Sequence, residues 1–248
     1  MKKVIALHAS RRKMNTFKLL QQLQQELAGH NVEVEVLSLY DYKLNDCIGC
    51  EKCILRGECI HQDDAQMLMD KMEGADGIIL SSPVYLKQVS GKLKDFIDRT
   101  CKWYHRPVLY GKPVICVATT KGSGLKSTLS YLQSVAIQWG AIPAGRIGRT
   151  IRNMDSVVTQ KELSEFIRLL NAPQKYRPSL SILIEFEVQK ALAKYLGGLD
   201  AGYWKEKGWD TKEYFTQCSP NRLKCFISRM FGAVLQRGMA NGQTKTST

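Results

Sequence analysis

At 248 residues, with 44% hydrophobic and 24% charged, the chain has ordinary globular composition and enough length to bury a substantial core. This excludes wholesale disorder, a collagen-like repeat and a disulfide-stapled miniprotein. The formal net charge of +13, from 36 Lys and Arg against 23 Asp and Glu, favours anionic partners. No RNA- or DNA-binding motif accompanies that charge, so nucleic acid is not expected as the main partner.

The first strand is expected at Lys3–Leu7, followed by a helix over Thr16–Ala28 with Phe17, Leu19, Leu20, Leu23 and Leu27 at helical spacing. Val32–Leu37 alternates as a second strand, Asp64–Met72 reads as a helix, and Gly77–Leu80 is apolar throughout, as a central parallel strand should be. A helix over Gly91–Tyr104, a fourth strand at Pro113–Ala118, a helix over Ser127–Trp139 and a short fifth strand around Gly145–Gly148 follow. Ser156–Asn171 is expected to be the last helix on the sheet. Ala172-Pro173 and Arg177-Pro178 then punctuate the chain. Beyond them come Ser179–Leu196, an aromatic stretch from Tyr203 to Tyr214, and a basic helix from Asn221 to about Met239.

Strand and helix alternating at this spacing imply right-handed crossovers and a doubly wound parallel sheet. The first strand-to-helix turn, His8 to Thr16, contains no glycine, whereas a dinucleotide fold would place G-x-G-x-x-G there. Its hydroxyls, amide and cations at a helix N-terminus suit a terminal phosphate. The expected class is therefore α/β: a flavodoxin-like, five-stranded parallel sheet with a C-terminal helical extension. The expected division is 1–173 for the sheet domain, 174–239 for the extension and 240–248 for a flexible tail.

Two stretches bear on location. Ser127–Gly145 is uncharged, but it carries Ser130, Gln133, Ser134 and Gln138 and ends in Gly140 and Pro143, an amphipathic helix and turn rather than a membrane span. At the N-terminus the apolar run covers only Val4–Leu7, and basic residues stand where a cleavage site would be. No signal peptide and a cytoplasmic location are expected.

Cys47, Cys50, Cys53 and Cys59 form C-x2-C-x2-C-x5-C, half of the eight cysteines in one short segment. Crowded thiolates suit an iron–sulfur cluster, whose ferredoxin runs begin with the same spacing. Zinc usually takes two separated pairs, and a loop of free, redox-reactive thiols is the third reading. Two further loops leave the same expected sheet edge, where parallel sheets bind ligands. One is Ser81-Ser82-Pro83-Val84-Tyr85, stiffened by proline and offering an aromatic wall. The other is Thr119-Thr120-Lys121-Gly122-Ser123-Gly124, whose glycines permit close backbone approach.

The ASRRKMNT turn, CIGCEKCILRGECIHQDD (47–64) and ADGIILSSPVYLKQVSGKLKDFIDR (75–99) together resemble the flavodoxin-like NAD(P)H-dependent FMN reductases, in their iron–sulfur flavoprotein branch. The resemblance covers roughly residues 1–150. It implies that Ser10, Arg12, Asn15 and Thr16 hold the FMN phosphate. Ser82, Pro83, Val84 and Tyr85 would line the ribityl chain and ring, and Thr120, Lys121, Gly122, Ser123 and Gly124 would border the isoalloxazine. Cys47, Cys50, Cys53 and Cys59 would hold a [4Fe-4S] cluster. The family turn usually opens with Gly-Ser and is about a residue longer, so the phosphate positions can slip by one.

The implied activity is an FMN-dependent oxidoreductase that takes hydride from NAD(P)H as a transient donor and passes electrons to a quinone, flavin or one-electron acceptor. A ferredoxin-like protein is an implied partner, as is a homo-oligomer, dimer or tetramer, built on the flavin face. No side chain is required as a catalytic acid or base. The reading from a different class is a non-enzymatic electron carrier or thiol redox sensor. Contact with an anionic membrane is a further possibility. It would use the stripe Leu223, Phe226, Ile227, Met230, Phe231, Val234 and Leu235, flanked by Arg222, Lys224, Arg229 and Arg237. The competing expectation is that this helix docks on its own domain or on a partner subunit.

Overall fold

The computed structural model describes residues 1–218 and 220–246, with side chains described as far as residue 240. In chain order it contains β1 (Lys2–His8), α1 (Asn15–Ala28), β2 (Val32–Ser38), α2 (Lys52–Leu55), α3 (Ala65–Glu73), β3 (Gly77–Pro83), α4 (Gly91–Arg99) and α5 (Cys101–His105). There follow β4 (Pro113–Thr119), α6 (Leu125–Gln138), β5 (Ile142–Arg149), α7 (Gln160–Asn171), α8 (Leu180–Leu196), α9 (Gly198–Glu206) and α10 (Arg222–Thr246). The five strands form one sheet in the order β2-β1-β3-β4-β5, every pairing parallel. This is the flavodoxin-like order, whose switch point between β1 and β3 places ligands beyond the carboxyl ends of the strands.

Strand alternation divides the core between the two faces of the sheet. Val4, Ala6, Ile79 and Val117 face one buried cluster, which α1 and α7 close with Leu20, Leu23, Leu163 and Phe166. Ile5, Leu7, Leu80 and Cys116 face the other, closed by α3, α4 and α6 through Leu68, Phe96 and Leu132. The C-terminal extension shares the first cluster: Phe186, Trp204, Trp209, Tyr214 and Phe215 are buried in it. Each such side chain contributes about 1.5–3 kcal/mol of transfer free energy. The extension is thus bound to the sheet domain by a continuous apolar interior. Among the described residues, no helix is long and apolar enough to cross a membrane.

Among the boundaries that differ from expectation, four have an identifiable cause. The single helix expected over Gly91–Tyr104 is divided at Thr100, whose hydroxyl bonds the Ile97 carbonyl at 2.6 Å and accepts from Trp139 Nε1 at 2.9 Å. A hydroxyl that competes for the helical carbonyls can end a helix in this way. The fifth strand is longer than Gly145–Gly148 and carries Pro143, which an edge strand tolerates beside an irregularity in register. Helix α7 starts later than Ser156 because Thr159 and Glu162 form a reciprocal capping box. Finally, α10 continues to Thr246, past the expected boundary at residue 239, since no proline interrupts it; residues 247–248 lie outside the described residues.

Candidate functional site

Loops from the carboxyl ends of β1, β3 and β4 meet around one cavity of about 210 Å³. The β1–α1 turn supplies Ser10, Arg12, Met14, Asn15 and Thr16, the β3–α4 turn Pro83, Val84 and Tyr85, and the end of β4 Thr119, Thr120 and Lys121. Met154, from the connection between β5 and α7, completes the wall.

The first turn of α1 begins without a side-chain cap on Met14 and without an acidic residue. Its unpaired N–H groups and the positive end of the helix dipole therefore favour an anion, and Arg12 adds a full charge. Thr16 is buried, and its Oγ1 lies 2.7 Å from Thr119 Oγ1, so the helix start and the end of β4 are joined by hydroxyls. Donors of this kind around a slot with one aromatic wall match a phosphorylated planar ligand such as FMN.

The β3–α4 turn is a tight hairpin. Tyr85 N donates to Gln88 O at 2.9 Å and Gln88 N donates back to Tyr85 O at 3.0 Å. Its central residues, Leu86 and Lys87, have φ of 47° and 67°, a left-handed conformation that costs a side-chain-bearing residue on the order of 1–3 kcal/mol. The strain is held from behind: Lys87 O accepts from Ser127 Oγ at 3.1 Å and from Thr128 Oγ1 at 3.4 Å. Gly124 passes so close that a Cβ there would stand 2.5 Å from Lys87 Cα, and its φ is 95°.

The expected cofactor residues accordingly separate. Ser10, Arg12, Asn15, Thr16, Pro83, Val84, Tyr85, Thr120 and Lys121 line the cavity. Ser82 is buried beside it, donating to Pro83 O at 2.7 Å and accepting from Ser90 N at 2.9 Å. Gly122 donates to Thr120 Oγ1 at 3.0 Å, and Ser123 O accepts from the same hydroxyl at 3.4 Å. Gly122, Ser123 and Gly124 thus shape the loop and are not among the lining residues.

Met14 and Thr119 lie in the expected ligand loops but were not assigned to the cofactor, and Met154 was not expected at all. Met154 has no local signal, because its loop is placed by a distant pairing. Arg149 at the end of β5 forks onto Glu162 at 2.8 and 3.1 Å and also donates to the carbonyls of Ser156 and Val157. Another residue at a strand end escaped notice. His8 is fully buried, neither ring nitrogen has a partner among the described residues, and its ring meets Phe17 edge-on at 5.2 Å. Burial, with the nearby Lys13, keeps its pKa below the usual value.

The four motif cysteines also come together. Cys47, Cys50, Cys53 and Cys59 line one small cavity, together with Cys101 of α5 and Arg99 of α4. Arg99 Nη2 donates to Cys59 Sγ at 3.3 Å, and the guanidinium grips Asp63 at 2.5 and 3.0 Å and Asn45 O at 2.8 Å. Burial would raise the pKa of Asp63. Bonds from Arg99 and from the N–H groups of Asn45 and Ala65 outweigh it and hold the carboxyl at about 2. A hydrogen bond from Cys101, with Lys102 and Arg106 nearby, brings the Cys53 thiol down to about 6 against the opposing effect of burial.

The loop is also fastened to the extension. Arg106 Nη2 donates to Cys53 O at 2.5 Å, while its Nε lies 3.3 Å from the buried Asp200 on α9. Four soft donors round one cavity, with guanidinium groups at its edge, fit an iron–sulfur cluster. Among the described residues no three His, Cys, Asp or Glu side chains converge on a single-ion position. Helix α4, roughly 13 Å long at 1.5 Å per residue, starts at the Ser90 cap, whose N–H donates to Ser82, and ends at Arg99, which lines the second cavity.

The signature of the NADPH-dependent FMN reductase family matches residues 2–153. An iron–sulfur flavoprotein of Archaeoglobus fulgidus is 32% identical over 222 residues, covering 84% of this chain and 100% of that protein. Another, from Methanocaldococcus jannaschii, is 34% identical over 151 residues, 58% of this chain and 76% of the relative. Among solved structures, RosB with its bound intermediate 8-demethyl-8-formylriboflavin-5'-phosphate aligns with a TM-score of 0.57 at 12% identity, covering 70% of this chain and 81% of that one. At that identity the likeness concerns the fold. The family match over the sheet domain and the full-length relative agree with the cavity at the strand ends: the chain is an FMN-dependent oxidoreductase and belongs to the NADPH-dependent FMN reductase family, in its iron–sulfur flavoprotein branch.

Proposed function

We propose that this oxidoreductase takes hydride from NAD(P)H and delivers electrons to a quinone, a free flavin or a one-electron acceptor, with a [4Fe-4S] cluster held by Cys47, Cys50, Cys53 and Cys59. The observation that carries the reading is the assembly of all four thiols around one cavity, distinct from the cavity at the strand ends. In this reading the first-turn amides of α1, with Ser10, Arg12, Asn15 and Thr16, bind the FMN phosphate. Thr119 orients the Thr16 hydroxyl toward that task. Pro83, Val84 and Tyr85 form one wall, and Thr120 and Lys121 form the border opposite. FMN held there would supply the redox chemistry, namely hydride acceptance and the release of electrons in pairs or singly. Arg99 and Arg106 place positive charge and hydrogen-bond donors against the cysteine loop, as surrounding groups do around anionic sulfur ligands.

A one-electron acceptor such as a ferredoxin-like protein suits the cluster. A second copy of the chain suits the rim of the flavin cavity, where Leu86 is fully exposed and Ile151 and Val157 are 66% and 70% exposed. Anaerobic purification, a visible spectrum before and after dithionite, and iron and sulfide assays on the same sample test the proposal. Flavin bands plus a broad, bleachable absorbance with about four irons per chain are expected. Flavin bands without iron would overturn the cluster, and failure to take up FMN would overturn the assignment of the first cavity. Sedimentation velocity tests the dimer or tetramer.

A further inference from the structure

Helix α10 docks on the protein by its less apolar side. Cys225, Ser228 and Gly232 are buried, three positions on one helical face. At Gly232 a Cβ would stand 2.6 Å from Glu187 Oε2 of α8, so the two helices approach closely there. The opposite face is open. Leu223, Phe226, Met230 and Val234 are 66%, 56%, 54% and 65% exposed, with Ile227 and Phe231 beside them at 40% and 43%. At 100° per residue these six fall within one continuous stripe along the outside of the helix. Apolar side chains of this size, contiguous and open, mark an interaction surface.

The charge beside the stripe identifies the occupant. Arg222, Lys224, Arg229 and Arg237 flank it, and α10 contains no Asp or Glu anywhere along its length. Only Arg229 has an ion-pair partner among the described residues of this region, Glu213 at 3.1 Å. Pairing the stripe with its own copy would bring these cations against one another, which opposes association. An anionic bilayer accepts both features at once: apolar side chains enter the acyl boundary while the flanking Arg and Lys meet lipid phosphates. The helix is not apolar enough to span. It can only lie along the surface.

We infer that α10 docks this protein on the surface of an anionic lipid bilayer through the stripe Leu223–Val234. This inference is independent of what the cysteine cavity holds. The test is co-sedimentation of the full-length, FMN-loaded protein with phosphatidylcholine–phosphatidylglycerol vesicles across a range of salt, with phosphatidylcholine vesicles alone as the comparison. Binding to the anionic vesicles that falls steeply with salt is expected. Phe226→Glu with Met230→Glu, both at exposed positions, should weaken it at least tenfold while FMN content and melting temperature stay unchanged. Arg222→Gln and Lys224→Gln should each weaken it about fivefold. Absence of salt-sensitive binding, or equal binding by the Phe226→Glu/Met230→Glu variant, overturns the inference. So does a larger oligomer that this variant dissolves when neither form binds vesicles, for the stripe would then join copies of the chain.

Discussion

Arg99 places Nη2 3.3 Å from the sulfur of Cys59, and the same nitrogen together with Nη1 forks onto the two carboxylate oxygens of Asp63. Both side chains of that ion pair are buried, at 2% and 0% exposure. Removing the cation leaves a buried carboxylate unpaired, which costs about 3–5 kcal/mol. Arg99→Ala should therefore lower the unfolding free energy measured by urea titration by that amount, and Arg99→Lys should recover only part because an ammonium cannot fork. An unfolding free energy unchanged by Arg99→Ala would show that the pair does not anchor the loop.

The same carboxyl carries an acid-stability signature. Asp63 titrates near 2 in the fold against an ordinary 3.8, so the unfolded chain takes up its proton first as the pH falls. Its contribution is complete above the ordinary value and is lost as the pH drops toward the folded one. Melting curves should decline across that window, and Asp63→Asn should flatten this part of the decline while lowering stability at neutral pH.

His8 acts in the neutral range. Its folded pKa lies below the usual 6.5, so the fold prefers the neutral ring and loses stability as the pH falls through 6.5 toward the folded value. Because neither ring nitrogen has a partner among the described residues, His8→Leu should change stability at pH 7 by no more than about 1 kcal/mol and should remove that loss under mild acid. Melting temperatures of the two proteins across that range provide the check.

Thr16 joins two of the cavity's three loops through Thr119, and both hydroxyls are buried. Thr16→Val removes that bond and one donor beside the proposed phosphate site. At about 1–3 kcal/mol for a lost bond to a charged group, FMN binding should weaken about ten- to a hundredfold. Titration of the apoprotein by flavin fluorescence quenching measures it. Unchanged affinity would move the phosphate elsewhere in the cavity.

Asp200 connects the extension to the cysteine loop, lying 3.1 Å from His105 Nδ1 and 3.3 Å from Arg106 Nε. Asp200→Asn should leave Arg106 free to withdraw from Cys53 O. Amide exchange across residues 50–59 should then rise by an order of magnitude or more, about 1.4 kcal/mol of local protection, with FMN content unchanged. If exchange rises equally throughout the sheet, the residue serves global stability alone.

The amino-acid sequence by itself carried the alternation of strands and helices, the glycine-free first turn and the crowded cysteines, because each of these is written in spacing between near neighbours. The five-stranded parallel sheet and the meeting of three loops follow from that alternation and from the rules of crossover. The hydroxyl that divides α4 from α5 could not be read so, since Thr100 is decided by Trp139, nor could Met154, whose loop is placed by Arg149 reaching Glu162. Tertiary structure alone showed that Arg99 joins Asp63 to Cys59 and that α9 fastens the cysteine loop. It also showed that α10 turns its small residues inward and its large apolar ones outward. Such contacts join residues far apart in the chain, and buried charge or close helix approach determines them only after the layers have packed.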